Sequence, residues 1–138
     1  MLDLETSANQ PLSLGLALGG GAARGIAHVG VLQVLWENGI PIKAIAGTSA
    51  GAMVGAIIAS GYTPDELAEV ARRSNWWFLA KDVSLRSGLL RSVGIEKWLR
   101  RHTKDKKFED LMIPLAVVTS DLVSGESVVF TSGDVAWA

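Results

Sequence analysis

Leu14-Gly15-Leu16-Ala17-Leu18 is an unbroken apolar run, and Gly19-Gly20-Gly21-Ala22-Ala23-Arg24-Gly25 follows it directly. A short continuous apolar run stopped by glycines suits a strand buried on both faces, as in a parallel sheet. From Arg24 the period changes. Ile26, Val29, Val31, Leu32 and Leu35 mark the apolar side of a helix, and Gly39 stands where a left-handed residue would end it. Ile42 to Ala46 then reads as a second strand, Gly47-Thr48-Ser49-Ala50-Gly51 as a sharp turn, and residues 50–60 as a second helix stopped by Gly61. Two consecutive strand–turn–helix units are the pattern of an α/β domain with a largely parallel sheet.

Further along, Thr63 suits a helix N-cap, Pro64 the first helical position and Glu66 the return bond of a capping box, which predicts a third helix to about Arg73. Residues 74–92 are less regular and include Trp76, Trp77 and Phe78. A short helix is expected over 95–101 and a third strand over 113–119. Gly125 marks a turn, and 128–131 is expected to return as a fourth strand beside the third. The expected architecture is a three-layer α/β sandwich around a largely parallel central sheet, with residues 1–13 as a flexible lead and 14–138 as the domain. Ligand sites of such sheets lie beyond the carboxyl ends of the strands. Both glycine-rich turns are expected there, facing the same side.

Composition narrows the function classes. At 138 residues the chain holds one domain, and 49% apolar against 20% charged residues excludes a wholly disordered one. Thirteen basic and 14 acidic residues leave a net charge of -1, so no global field calls for nucleic acid. The absence of cysteine removes disulfides, thiolate metal sites and a cysteine nucleophile. With His28 and His102 as the only histidines, neither a metal site nor a cofactor is expected. The N-terminal residues carry Asp3 and Glu5 and no basic start before an apolar run, unlike a secretory signal, so a cytoplasmic location is expected. Residues 44–64 are uncharged, long enough to span a bilayer, and hold Gly47, Gly51 and Gly55 at helix-dimer spacing. Their small, polar GTSAG centre fits a turn better than a membrane span.

GTSAG is a G-x-S-x-G sequence between a strand and a helix. A serine on so sharp a turn needs small neighbours, here Gly47 and Gly51, and its hydroxyl is held out at the positive end of a helix. The competing reading is a serine N-cap flanked by packing glycines. Gly19 to Gly25 offers a row of backbone amides without Cβ interference, an anion nest. Nucleotide fingerprints fail: G-x-G-x-x-G would need glycine at Arg24 or at Ala22, and Ile26 stands where a Walker lysine should follow Gly25. An oxyanion hole fits better. Arg24 falls in a first helical turn, where the dipole disfavours a cation, which suggests that it holds the loop or attracts an anionic substrate. A base for the serine is harder to find. His102 lies in a charged stretch, His28 lies one helical turn past Arg24, and Asp121 sits at a strand end where it also suits a turn cap.

Together, GGGAARG after a first strand and GTSAG one βα unit later resemble the patatin-like phospholipases, a serine acyl-hydrolase family. AVVTSDLVSGESVVF resembles a further segment of that family. The resemblance covers about residues 14–133. It implies a Ser–Asp dyad without histidine, Ser49 as nucleophile, the amides of Gly20, Gly21 and Ala22 as the oxyanion hole, Gly47 and Gly51 as the glycines of the nucleophile elbow, and Arg24 as the basic residue following the loop. Ala22 replaces the family's usual third glycine, which is tolerable if its φ stays negative. The family's aspartate lies in an Asp-Gly dipeptide, and this chain contains none. The chain therefore reads as the N-terminal portion of a longer catalytic domain. Asp134 looks like the N-cap of a helix that does not follow.

The resulting expectation is a carboxylic ester hydrolase acting on phospholipids or lysophospholipids. A non-catalytic glycine-loop module binding phosphate or acyl groups is the alternative, and an ordinary α/β-hydrolase with a downstream histidine a weaker third. Expected partners are a lipid or acyl-ester substrate and, peripherally, a membrane, through the Trp76-Trp77-Phe78 cluster or the cations Arg100, Arg101, Lys104, Lys106 and Lys107. Packing in the core and plain solvation are the respective alternatives for those two clusters.

Overall fold

The computed structural model describes residues 13–74 and 92–138. Strand β1 (Leu14–Leu18) leads through a 3-10 segment (Ala22–Ile26) into α1 (Ala27–Glu37). Strand β2 (Ile42–Gly47) leads into α2 (Ala50–Ala59) and α3 (Pro64–Arg73). Helix α4 (Ser92–Thr103) and a 3-10 turn (Phe108–Asp110) precede β3 (Leu115–Ser120) and β4 (Ser127–Phe130). The sheet order is β1-β2-β3-β4; the first three strands are parallel and β4 returns antiparallel to β3. Because the order never reverses, right-handed crossovers deliver α1 and α2 to the same face.

The register shows how sequence sorts the two faces. Leu16 pairs with Ile45 and Ile45 with Leu115, while Leu18 pairs with Gly47 and Gly47 with Val117. These side chains face α2, and Leu18, Ile45, Leu115 and Val117 are buried. Gly15, Ala17, Ala44 and Ala46 alternate onto the other face, where the first three are exposed and Ala46 is half-buried. The unbroken apolar run of β1 thus has one covered face among the described residues, and on the other it carries only Gly and Ala.

Helix α2 is apolar all round because it is central. Val54, Ile57 and Ala59 are fully buried, with Leu32 of α1 and Leu67 of α3 packed around them. The Gly47, Gly51 and Gly55 spacing is the seam by which this helix sits on the sheet. A Cβ on Gly55 would lie 2.9 Å from Ile45 Cγ2 and 3.2 Å from Leu115 Cδ1. No helix among the described residues is long and apolar enough to cross a membrane.

Other expectations meet the structure in detail. The capping box at Thr63 forms in both directions: Glu66 N–H donates to Thr63 Oγ1 at 3.2 Å, and Thr63 N–H donates to the Glu66 carboxylate at 2.8 Å. Gly39 is left-handed, with φ of 65°. The first helix, expected from Arg24, begins as a 3-10 turn and becomes α-helical only at Ala27. Val31, expected on its apolar side, is exposed, since it lies about 200° round the helix from buried Val29. Helix α4 is longer than the expected 95–101. Asp134 caps a single turn, accepting from the amides of Ala136 at 2.9 Å and Trp137 at 3.1 Å. Trp76, Trp77 and Phe78 lie outside the described residues.

Candidate active site

The carboxyl ends of β1 and β2 lie side by side, and the two glycine-rich turns leave from them. Thr48 N–H donates to Leu18 O at 3.1 Å, tying the turns together at their roots. A Cβ on Gly51 would collide with that same Leu18 carbonyl, so only glycine lets the first turn of α2 come so close to β1. A Cβ on Gly47 would lie 2.7 Å from the backbone of Gly51 and Ala52, and one on Gly25 would lie 2.6 Å from Ala50 Cβ. Each clash marks a contact that presses the serine turn and the glycine loop into one unit.

Ser49 sits at the apex of the second turn with φ of 50° and ψ of -124°. That is a costly conformation for a residue with a Cβ, on the order of 1–3 kcal/mol, and one that surrounding packing must impose. An ordinary N-cap serine adopts extended dihedrals and turns its hydroxyl back onto its own helix. Ser49 occupies the N-cap position of α2 yet makes no side-chain capping bond, and it is exposed. The structure therefore rejects the capping alternative and leaves the hydroxyl without a hydrogen bond among the described residues, at the positive end of a buried helix.

The glycine loop approaches from the other side. A Cβ on Gly20 would lie 3.3 Å from Ser49 Cβ and 3.7 Å from Thr48 O. Among the described residues, the amides of Gly20, Gly21 and Ala22 donate to no partner, and neither does the amide of Ala50. A free row of donors beside an uncommitted hydroxyl can stabilise an oxyanion formed on a carbonyl that the hydroxyl attacks. Ala50 was not singled out from the sequence; its signal is its place immediately after the serine of G-x-S-x-G. Ala22 corrects an expectation. Its φ is 49°, not negative, so it holds the left-handed conformation that glycine would adopt at less cost.

Arg24 is exposed, and its side chain has no hydrogen bond or ion pair among the described residues; only its backbone N–H is engaged, donating to Gly21 O at 3.0 Å. Among the described residues its guanidinium makes no bond to the loop. His28 does touch it: Nε2 lies 2.9 Å from Gly19 O. His102 is elsewhere, half-buried between Trp98, with ring centroids 4.6 Å apart, and Tyr62. Burial, with help from the Arg101 charge, pushes its pKa below the ordinary histidine value. Asp121 is a turn cap: its Oδ1 accepts from the amides of Val123 at 2.7 Å and Ser124 at 3.1 Å, and the bonds to Ser124 and Val123 hold its carboxyl below the usual range. None of these three titratable groups is hydrogen-bonded to Ser49. No group of three or more His, Cys, Asp or Glu among the described residues could hold a metal.

The cations near α4 are largely engaged. Arg100 binds Glu96 at 2.8 Å, Asp134 at 2.6 Å and Asp105 at 3.3 Å. Lys106 Nζ donates to Ser60 O at 3.1 Å, and Lys104 lies over the Tyr62 ring. An open groove of about 420 Å³ runs from Gly19, Gly47 and Thr48 across to Thr119, Ser120 and Ser127. A second, apolar cavity of about 250 Å³ lies at the opposite end of the sheet, among Leu32, Ile58, Tyr62 and Met112.

Comparison with known proteins decides the family. The family model for patatin-like phospholipase matches residues 16–136. The chain belongs to the patatin-like phospholipase family. It is 34% identical over 134 residues to a patatin-like phospholipase domain-containing protein of Caenorhabditis elegans, covering 91% of this chain and 10% of that protein. It is 42% identical over 122 residues to an uncharacterised NTE family protein of Mycobacterium tuberculosis, covering 86% of this chain and 33% of that one. The chain thus spans a third or less of the length of these relatives. The structure of the ExoU–SpcU complex from the Pseudomonas aeruginosa type III secretion system superposes with a TM-score of 0.74 at 21% identity, over 93% of this chain and 35% of that one. That likeness establishes the shared patatin-like α/β fold.

Proposed function

We propose that this patatin-like chain carries the nucleophile and oxyanion half of a serine hydrolase that cleaves acyl esters of phospholipids or lysophospholipids. The observation behind the reading is Ser49, held at φ of 50° with no capping bond and a Gly20 Cβ position only 3.3 Å from its own Cβ. In the mechanism, a carboxylate removes the Ser49 proton as Oγ attacks the acyl carbonyl. The amides of Gly20, Gly21 and Ala22, joined by Ala50, receive the developing oxyanion. The alcohol leaves as a lysophospholipid or glycerol-type product, and water hydrolyses the acyl-enzyme. In this reading the carboxylate is an aspartate, as the patatin-like resemblance implies, and Asp121, which caps its own turn, is not bonded to Ser49. Arg24, exposed beside the loop, is suited to a headgroup phosphate. We place the reaction in the cytoplasm, with peripheral contact to the membrane that supplies the lipid.

The alternative, a glycine-loop module that binds phosphate or acyl groups without turnover, draws on the amides free among the described residues and on the lack of a described base bonded to Ser49. Phospholipid hydrolysis by the intact protein and its Ser49→Ala variant separates the two. The hydrolase reading expects turnover that falls by at least about 10³-fold on substitution, the scale of losing a nucleophile. Turnover surviving in Ser49→Ala would end it, and the absence of turnover in both, with lipid binding retained, would favour the binding module.

A further inference from the structure

The 19–20 peptide lies between glycines, and its carbonyl is held by a side chain that the proposed chemistry leaves unused. His28 Nε2 lies 2.9 Å from Gly19 O. A carbonyl oxygen only accepts, so Nε2 carries the hydrogen and donates it. The chain gets there because the 3-10 segment at Ala22–Ile26 folds it back, placing the first turn of α1 under the loop. That turn is itself fixed, since Gly25 packs on Ala50 at the start of the serine helix with no room for a side chain.

We propose that His28 is a positioning residue for the oxyanion hole, acting through the Gly19 carbonyl on the Gly20 amide; the inference rests on the hydrolase reading above. The carbonyl of Gly19 and the N–H of Gly20 belong to one peptide plane and point in opposite directions across it. Fixing the carbonyl fixes the line along which the amide donates. Gly51 packs close to the same carbonyl, where an added Cβ would lie 2.7 Å from Gly19 O, but no second hydrogen bond among the described residues sets its direction. Gly19, Gly20 and Gly21 supply no side chains, a Cβ at Gly19 would meet no neighbour within 4 Å, and the His28 bond is the one hydrogen bond to this peptide among the described residues. A peptide flanked by glycines turns about its neighbouring bonds at little cost. Without His28 the plane samples orientations in which the Gly20 N–H points away from the substrate carbonyl. The bond also polarises the amide, making its N–H a stronger donor toward an oxyanion than toward a ground-state ester. The effect therefore belongs to the transition state, and kcat is the constant that should move.

The test compares intact wild-type protein with His28→Gln, His28→Phe and Ser49→Ala, using p-nitrophenyl butyrate hydrolysis and thermal melting. Losing one oxyanion donor outright costs about 10²–10³ in kcat, so loss of its orientation should cost roughly 10- to 100-fold. His28→Phe is expected to show that fall in kcat, with KM within about twofold. His28→Gln can present an amide N–H to the same carbonyl and should recover to within about threefold of wild type. Wild-type kcat in His28→Phe would overturn the inference. Equal kcat losses in both variants, tracking their melting temperatures, would also overturn it by reducing the bond to a structural tether. Ser49→Ala separates the two readings. An active Ser49→Ala would overturn the hydrolase reading and this inference with it, whereas an inactive one beside an unimpaired His28→Phe would sink the role of His28 alone.

Discussion

Ser49 and Ala22 both hold positive φ without being glycine, one in each of the two glycine-rich turns. Backbone strain of this kind persists only where the surroundings impose it, and here close contacts at Gly25, Gly47 and Gly51 do so. Gly20 differs from those three. Its φ, like theirs, lies outside the left-handed region, but the nearest atom to an added Cβ is Ser49 Cβ at 3.3 Å, a tight but adjustable distance, where theirs would meet atoms at 2.7 Å or less. Gly20→Ala should therefore fold, with a melting temperature near wild type, while crowding the serine and lowering ester hydrolysis by about tenfold or more, as small misplacements of reacting groups do. Unchanged activity with an intact fold would mean that the Gly20–Ser49 gap is not where the ester sits. At this scale the sequence was legible where a residue type serves a backbone purpose. G-x-S-x-G and the glycine run located both turns. The φ of Ala22 was not legible, because the dihedral is imposed by packing that no local pattern records.

At the scale of elements, the strand–turn–helix succession was readable from period and punctuation alone. Thr63-Pro64-Asp65-Glu66 named its own helix start, and Gly39, Gly61 and Gly125 each mark a positive-φ turn. The exposure of Val31 and the added length of α4 escaped because they depend on which neighbours arrive. His102 is of the same kind: its charged stretch suggested solvent, yet its ring lies against Trp98 one turn back on α4 and against Tyr62 from beyond that helix. Burial depresses its pKa in the folded state, so the unfolded chain binds more protons as the solution is acidified. Stability attributable to His102 is then complete above its unfolded pKa and declines as pH falls below it. Urea unfolding from pH 7.5 to pH 5 should show that decline in wild type and less of it in His102→Gln. Identical pH profiles would contradict the burial argument.

At the scale of the molecule, a parallel three-strand core with a fourth strand returning beside it places both glycine-rich turns at one end, and the crossovers put the described helices on one face of the sheet. The aspartate of the proposed dyad could not be read from this chain at all, since Asp121 serves its own hairpin and the Asp-Gly dipeptide is absent. The proposed role of Ser49, a nucleophile poised against a row of amides, does not depend on that aspartate being known. Treatment of the intact protein with a fluorophosphonate probe, followed by peptide mass spectrometry, tests it most directly. A single adduct on Ser49, lost on heat denaturation before labelling, is the predicted result. Native protein that labels no more than its denatured control, or that labels at another serine, would contradict it.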